Sequence, residues 1–319
     1  MRRLLLIPSL FLAGSIHLPA AVNEQLLALV PPDTKLIGSI DVTNAQSSTF
    51  GRYLLNRMPQ NDENFDRFIR ETGFDPRQDL QHILFTSSGA QGQFAILAQG
   101  VFNPERITAL SKTKGAVVRK YHGLNVIVSN AAAKNSTGLA FPLADVAIMG
   151  DLATVQAVLD HSNVPSALDP TLTTRISAIG EKNDTWFASL VGVGPFASHL
   201  GSEDAQGDSQ ADSQAKVLQA ITGTSGGIRF GDAIEVSGSA FTRSPQDAAS
   251  LADVVRLGTS LLQMQRQKDP GSAILAGALD RMKLNPEGSQ LHMSVSLTEK
   301  EAEQLAGIPY AGSFEMKGK

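Results

Sequence analysis

Cysteine is absent from all 319 residues, which removes disulfides, thiolate nucleophiles and cysteine-ligated metals at once. Charged residues are also scarce, at 18% of the chain against the ~25% usual for soluble domains. There is no basic excess, since 27 Lys and Arg stand against 31 Asp and Glu. The chain therefore lacks the electrostatic footprint that a nucleic-acid partner requires. The six histidines, His17, His82, His122, His161, His199 and His292, are scattered, and none stands at i, i+4 with another. No H-E-x-x-H, EF-hand loop or His/carboxylate cluster occurs, so neither a metal nor a cofactor is expected. No glycine loop lies between a strand and a helix to cradle phosphate.

What is present is enough apolar material, 42% of residues, to build real cores, over a length that accommodates two domains. Met1 to Ala21 has the three parts of a secretory signal: Arg2-Arg3, an apolar run from Leu4 to Leu18, and small residues at Ala20-Ala21. Pro8, Gly14, Ser15 and His17 interrupt that run and make it a poor membrane span. Cleavage is the expectation, with an uncleaved anchor as the alternative. Leu12-Ala13-Gly14-Ser15 has the shape of a lipobox with serine where the lipidated cysteine would stand, which argues against a lipid anchor. The chain after cleavage would carry 25 basic and 31 acidic residues, net −6.

The organising stretch is Gly226 to Gln263. Ile228-Arg229-Phe230 leads through Gly231-Asp232, which suits a type II′ turn, into a strand from Ala233 to Phe241. Ile234, Val236, Gly238 and Ala240 alternate with Glu235, Ser237 and Ser239, so one face is expected to be buried and the other wet. Ser244 and Pro245 then start an amphipathic helix. An echo precedes it: Ile83-Leu84-Phe85, a turn, Phe94 to Phe102, and the Asn103-Pro104 cap. Around the first copy the pattern predicts a strand over Lys35 to Val42, helices over Ser48 to Met58 and Glu63 to Thr72, a hairpin turning at His122-Gly123, a strand over Ala144 to Met149 and a helix over Asp151 to Asp160. Around the second it predicts a helix over Thr171 to Ile179, a strand over Thr185 to Val191, helices over Ala215 to Ile221 and Gly271 to Met282, and a strand over Gln290 to Leu297. A helix capped by Thr298 and Glu301 closes it.

The fold class expected is α+β, with two tandem ferredoxin-like β-α-β-β-α-β units, mainly antiparallel and open to joining as one sheet. The expected division is a signal peptide at 1–21, a first unit at 22–165, a second at 166–310 and a tail at 311–319. Residues 202–214, built of Asp, Ser, Gln, Ala and Gly, are expected to form a flexible loop.

Three serine motifs match patterns of acyl-transfer chemistry. Gly223-Thr224-Ser225-Gly226-Gly227 fits the nucleophile-elbow pattern, but a helix precedes it and a strand follows, the reverse of the mechanical context, so loop glycines explain it better. Gly207-Asp208-Ser209 lies in the low-complexity loop, and Ser111-Lys112-Thr113-Lys114 ends a helix where the penicillin-binding motif begins one. Asp33, Asp41, Asp145, Asp151 and Asp184 fall near strand ends, where carboxylates can converge, though caps and turns account for them. No catalytic, cofactor-binding or metal-ligating residue is assigned.

The succession Leu29-Val30-Pro31-Pro32-Asp33, the strand Leu36 to Val42 and the Phe-containing helix Ser48 to Leu55 after a leader resembles secreted bacterial proteins of unknown function. That resemblance implies a periplasmic or secreted location and no established activity. The reading favoured by the sequence is a non-catalytic binding or cell-envelope accessory protein with an envelope or extracellular partner. The alternatives are a secreted hydrolase with a site assembled from distant residues and a small-ligand carrier between the two units.

Overall fold

The computed structural model describes residues 23–57, 62–90, 93–129, 136–161, 167–192, 216–264 and 270–307. The expected signal peptide at 1–21, the expected loop at 202–214, His17, His199, Gly207-Asp208-Ser209 and the expected tail at 311–319 lie outside the described residues.

Runs of β-branched and aliphatic residues form a mainly antiparallel ladder from β1 (Leu36–Asp41) to β12 (Gln290–Thr298), and all of it is one sheet of twelve strands. The fold is α+β. β1 pairs antiparallel with β8 (Thr185–Ser189), Gly38 lying opposite Phe187, and this pair is the seam. On one side of the seam follow β2 (Leu80–Ser87), β3 (Phe94–Gly100), β7 (Val146–Asp151) and β6 (Thr137–Leu143). On the other follow β9 (Ile221–Arg229), β10 (Ala233–Thr242), β12 and β11 (Lys283–Glu287). The two halves are thus laid out in mirrored order, with the hairpin β4 (Val117–Tyr121) and β5 (Leu124–Ser129) added at the first half's edge. The element order is the expected one; in space the strands sit side by side rather than interleaved.

Both sheet edges carry features that discourage further pairing. Edge strand β11 holds Pro286, which cannot donate to a ladder, and edge strand β4 holds Arg119 and Lys120.

The helices start where the sequence places caps. Asn103 accepts from the Arg106 amide at 3.0 Å at the head of α6 (Pro104–Thr113). Ser244 does the same for Asp247 at 3.1 Å at the head of α9 (Pro245–Met264). Thr298 and Glu301 form a reciprocal box at 2.8 and 3.3 Å at the head of α11 (Glu299–Gly307). Gly73, at φ +72°, closes α4 (Glu63–Thr72). His122 and Gly123, at φ +47° and +81°, make the expected type I′ turn.

Several elements differ from the sequence reading. Residues 216–219 form a single helical turn, and the chain is already extended at Ile221, so β9 absorbs most of the glycine motif. Gly231 does not adopt positive φ, and the Glu235–Arg229 pair is the first of the hairpin, so the connection is a wider loop and not a type II′ turn. Asp184 supplies the reason, because its carboxylate accepts the Phe230 amide at 2.5 Å and draws the loop toward β8. Helix α2 (Val42–Ser47), β6 and β11 had no distinct signal in the sequence.

The largest core lies on one face of the sheet, here the upper face. It joins Leu84, Leu97, Val126 and Ile148 with Leu26 of α1 (Glu24–Leu27), Val155 and Val158 of α7 (Leu152–His161), and Leu172 and Ile176 of α8 (Pro170–Gly180). Trp186, 2% exposed, belongs to it, so this core crosses the seam. In the second half beyond β8 the apolar packing is on the lower face. Ala240 and Leu291 meet Leu251 and Ala252 of α9, while Ile234 meets Ala302 of α11 and Phe50 of α3 (Thr49–Asn56).

Candidate functional site

The helix after β7 and the helix after β12 occupy corresponding places in the chain but cover opposite faces. Val155 and Val158 of α7 pack on the upper core, whereas Ala302 of α11 packs on the lower face beside Ile234 and Phe50. The upper face of β10, β12 and β11 is therefore left without a helix above it. Helix α8 flanks it on the β8–β9 side. Between them lies a groove of about 1000 Å³.

Strand alternation supplies the floor. Ser225, Ser239, His292 and Asn285 stand side by side across β9, β10, β12 and β11, and Ser237, Ser294 and Lys283 form the neighbouring row. The serines that the sequence assigns to the wet face are these residues. The Ser239 hydroxyl and His292 Nδ1 are 2.9 Å apart, and Glu287 lies 4.0 Å from Nε2 of the same ring. A Ser/His/carboxylate series has thus been brought together from positions that spacing could not connect. Its setting does not suit acyl transfer. Ser239 sits mid-strand in β10, paired on both sides, so the local amides are committed to the ladder and not free to hold an oxyanion. The hydroxyl–imidazole contact is a cross-strand pair.

The flank is held by α8. Asn183 donates to the Ile179 carbonyl at 2.8 Å and accepts from Ser237 at 3.4 Å, which ties the helix end to the floor. Arg175 is 9% exposed and lines the groove, its guanidinium carbon 3.7 Å from the centroid of Phe241. Its Nη1 donates to the Ser189 carbonyl, while Nε is buried with no hydrogen-bond partner. Burial lowers its pKa from the usual arginine value, an effect that Asp169 opposes.

The charges of the groove divide into two groups. Arg229 is neutralised by Glu235 at 2.8 Å and Arg281 by Glu301 at 2.8 Å. Lys182 and Lys283 line the groove with no carboxylate partner among the described residues.

The glycine motif gains a different explanation here. Gly223, Gly226 and Gly227 are strand residues of β9, each covered by a neighbour. A Cβ on Gly223 would collide with the Arg175 guanidinium and the Ser189 carbonyl, one on Gly226 would lie 2.8 Å from the Phe187 ring, and one on Gly227 would meet the Asn183 side chain. Ser225 is 7% exposed within the floor and is no elbow nucleophile.

The other candidates remain apart. The Ser111 hydroxyl donates to the Ile107 carbonyl at 2.8 Å within α6, and Lys114 pairs with Glu71 at 2.7 Å. Asp41 caps α2 by accepting the Asn44 amide at 2.9 Å. Asp151 accepts the Phe94 and Thr154 amides at 2.8 and 3.0 Å, and Asp145 accepts from Gln99 at 3.2 Å. Asp33 is exposed in the turn before β1. Tyr121 and His122 both bond Asp160, at 2.8 and 2.7 Å, and hold its carboxyl below the usual aspartate value. His82 lies 3.8 Å from Asp41. No group of three or more potential metal ligands occurs among the described residues.

On the lower face, Ile40 of β1, Phe94 of β3, Met149 of β7 and Phe187 of β8 are between 39% and 45% exposed. No helix among the described residues is long and apolar enough to cross a membrane.

No protein-family profile matches the chain and no curated protein does. Three solved structures of TP0453 are similar in fold. Crystal form III has a TM-score of 0.51 at 10% identity, covering 89% of this chain and 98% of that one. Crystal form I has 0.48 at 8% identity over 90% and 97%, and crystal form IV has 0.49 at 9% identity over 88% and 96%. At such identity the likeness to form III is one of architecture, and no characterised family is matched.

Proposed function

We propose that this is a non-catalytic binding protein of the cell envelope whose ligand occupies the groove between α8 and the upper face of β10–β12. The observation that carries this reading is the bare sheet face itself. A half-sheet whose strands present Ser237, Ser239, His292 and Ser294 to a concave space of about 1000 Å³ offers hydrogen-bonding groups on a rigid frame, the usual construction of a small-ligand site. The periplasmic or secreted location rests on the Arg-Arg leader with its interrupted apolar run. The partner-binding and carrier readings of the sequence meet here, since a groove in one half can carry a small molecule without a site between the halves.

A hydrolase built on Ser239 and His292 is the competing reading, and its weakness is the absence of free amides beside Ser239 on a doubly paired strand. The test is to isolate the full chain from an envelope fraction, identify co-purifying small molecules by native mass spectrometry, and assay the same material on ester and amide substrates. A stoichiometric ligand lost on filling the groove by Ser237→Trp is expected. Turnover abolished by Ser239→Ala, with no ligand retained, would overturn the reading.

A further inference from the structure

We propose that the groove selects a hydrophilic organic anion, a carboxylate or phosphate monoester, and seats its anionic group at the unbonded Nη2 of the Arg175 guanidinium. This rests on the binding reading above and goes beyond it by naming the ligand's chemistry.

The first observation is the unusual state of Arg175. A guanidinium has five N–H donors and stays charged in proteins. Here one end is used by the Ser189 carbonyl and one face by the Phe241 ring. On the opposite edge Nη2 has no hydrogen-bond partner among the described residues, and Nε is both unpartnered and closed to solvent, in a residue only 9% exposed. A buried cation without a paired carboxylate is costly, because desolvation is not returned by a counter-charge. The nearest acidic influence, Asp169, is itself engaged by Lys35 at 3.6 Å and by the Thr171 amide at 2.9 Å. Nη2 is therefore the guanidinium donor open to a carboxylate or phosphate oxygen, with the buried Nε–H beside it as a close reporter.

The second observation is independent of Arg175. Lys182 and Lys283 line the same groove from the end of α8 and from β11 and lack carboxylate partners among the described residues, while the groove's other two cations are each neutralised. The chain as a whole is acidic, net −4, so a locally cationic groove is not a by-product of composition. The hydroxyls of Ser294 and Ser296 and the Asn285 amide line the space beyond the cations. They suit a polar ligand body better than an aliphatic one.

The arginine side-chain Nε–H resonances of the full-length protein provide the test, since a buried Nε–H exchanges slowly enough to observe. Sodium phosphate, sodium succinate and the neutral analogue succinamide would each be titrated at constant ionic strength. The expected result is a saturable shift of the Arg175 Nε–H by succinate, phosphate or both, and none by succinamide. Which anion binds more tightly identifies the carboxylate or phosphate source. Lys182→Gln and Lys283→Gln should each weaken binding about tenfold, the weight of one lost charge-assisted hydrogen bond. Arg175→Lys should weaken it by a similar amount, because the ammonium no longer places a donor where Nη2 stands. Arg256→Gln, on the exposed side of α9, should leave it unchanged. If Arg175→Lys does not fold, the two lysine variants and the wild-type resonance still decide the matter. An Nε–H unmoved by both anions, or equal affinities across the groove variants, overturns the inference. A neutral molecule recovered in the groove would overturn it too while leaving the binding reading standing, whereas recovery of no ligand together with serine-dependent turnover would remove both.

Discussion

The two halves of the sheet share a strand order and differ in which face their last helix covers. In the first half α7 lies on the upper face and seals Val126, Val128, Ala140 and Ile148 beneath Val155 and Val158. In the second half α11 turns to the lower face and meets Phe50, with Tyr53 of α3 donating to the Glu303 carbonyl at 3.0 Å. The same strand pattern thus produces a sealed core in one half and an open polar groove in the other. The upper-face residues agree with this: Val126, Val128, Ala140 and Ile148 under the helix, against Ser237, Ser239, His292 and Ser294 under solvent. Where the covering helix is withdrawn, the exposed strand positions are polar and a groove is left open.

The most severe way to break the comparison is to attack the core that crosses the seam. Trp186→Ala should cost about 3–5 kcal/mol and Leu291→Ala, in the second half alone, about 2–5 kcal/mol. Because the strands form one sheet, both variants should still unfold in one step. Urea denaturation followed by far-UV circular dichroism and by fluorescence of the single Trp checks this in Leu291→Ala. Separate midpoints for the two signals would show that the halves are independently stable.

The contrast sharpens at the glycines beneath each upper-face element. Gly223→Ala forces a methyl into the Arg175 guanidinium and the Ser189 backbone and should cost about 1–3 kcal/mol. Gly138→Ala meets only Leu152 and Val155 side chains of α7 at 3.2 and 3.4 Å, and a smaller loss is expected. Thermal unfolding of the pair gives the order.

Equivalent caps should behave alike. Asn103→Ala and Ser244→Ala should each lose about 1 kcal/mol, since each removes one acceptor from a helix's first turn. A large inequality in denaturant midpoints would show that α6 and α9 contribute differently to their halves.

Acidification should reach the second half through α11. The Thr298 amide, followed by Arg281, holds Glu301 below the ordinary glutamate value of 4.5. A depressed carboxyl stabilises above its unfolded pKa, and that contribution is lost as pH falls below 4.5 toward the folded value. Glu301→Gln should therefore flatten the decline of the urea midpoint below that pH. The smallest effect belongs to Arg229 and Glu235, both more than half exposed. Glu235→Gln should change stability by less than about 1 kcal/mol while making the groove more cationic.

Much of this plan was legible in the chain. Alternation from Ile234 to Ala240 gave the correct inner and outer faces, and the Asn103-Pro104, Ser244-Pro245 and Thr298/Glu301 signals placed three helix starts. These are short-range effects, set by side chains a few residues apart. The glycine-rich stretch was misread as helix and loop because glycine's lack of a side chain looks the same whether the cause is a turn or a neighbour lying on the strand. β11 was missed because Pro286 and Asn285 oppose strand formation in isolation, and only the ladder with β12 holds it extended.

Composition and pattern by themselves determined the α+β class, the exclusion of thiol chemistry and the polar identity of the second half's outer face. The tertiary structure alone decided that Ser225, Ser239, His292 and Asn285 share one row, that α11 leaves them uncovered and that Arg175 is buried with an unused edge. The physical reason is range: periodicity and capping act within a turn or a strand, whereas strand order and helix placement bring together residues that no local spacing connects.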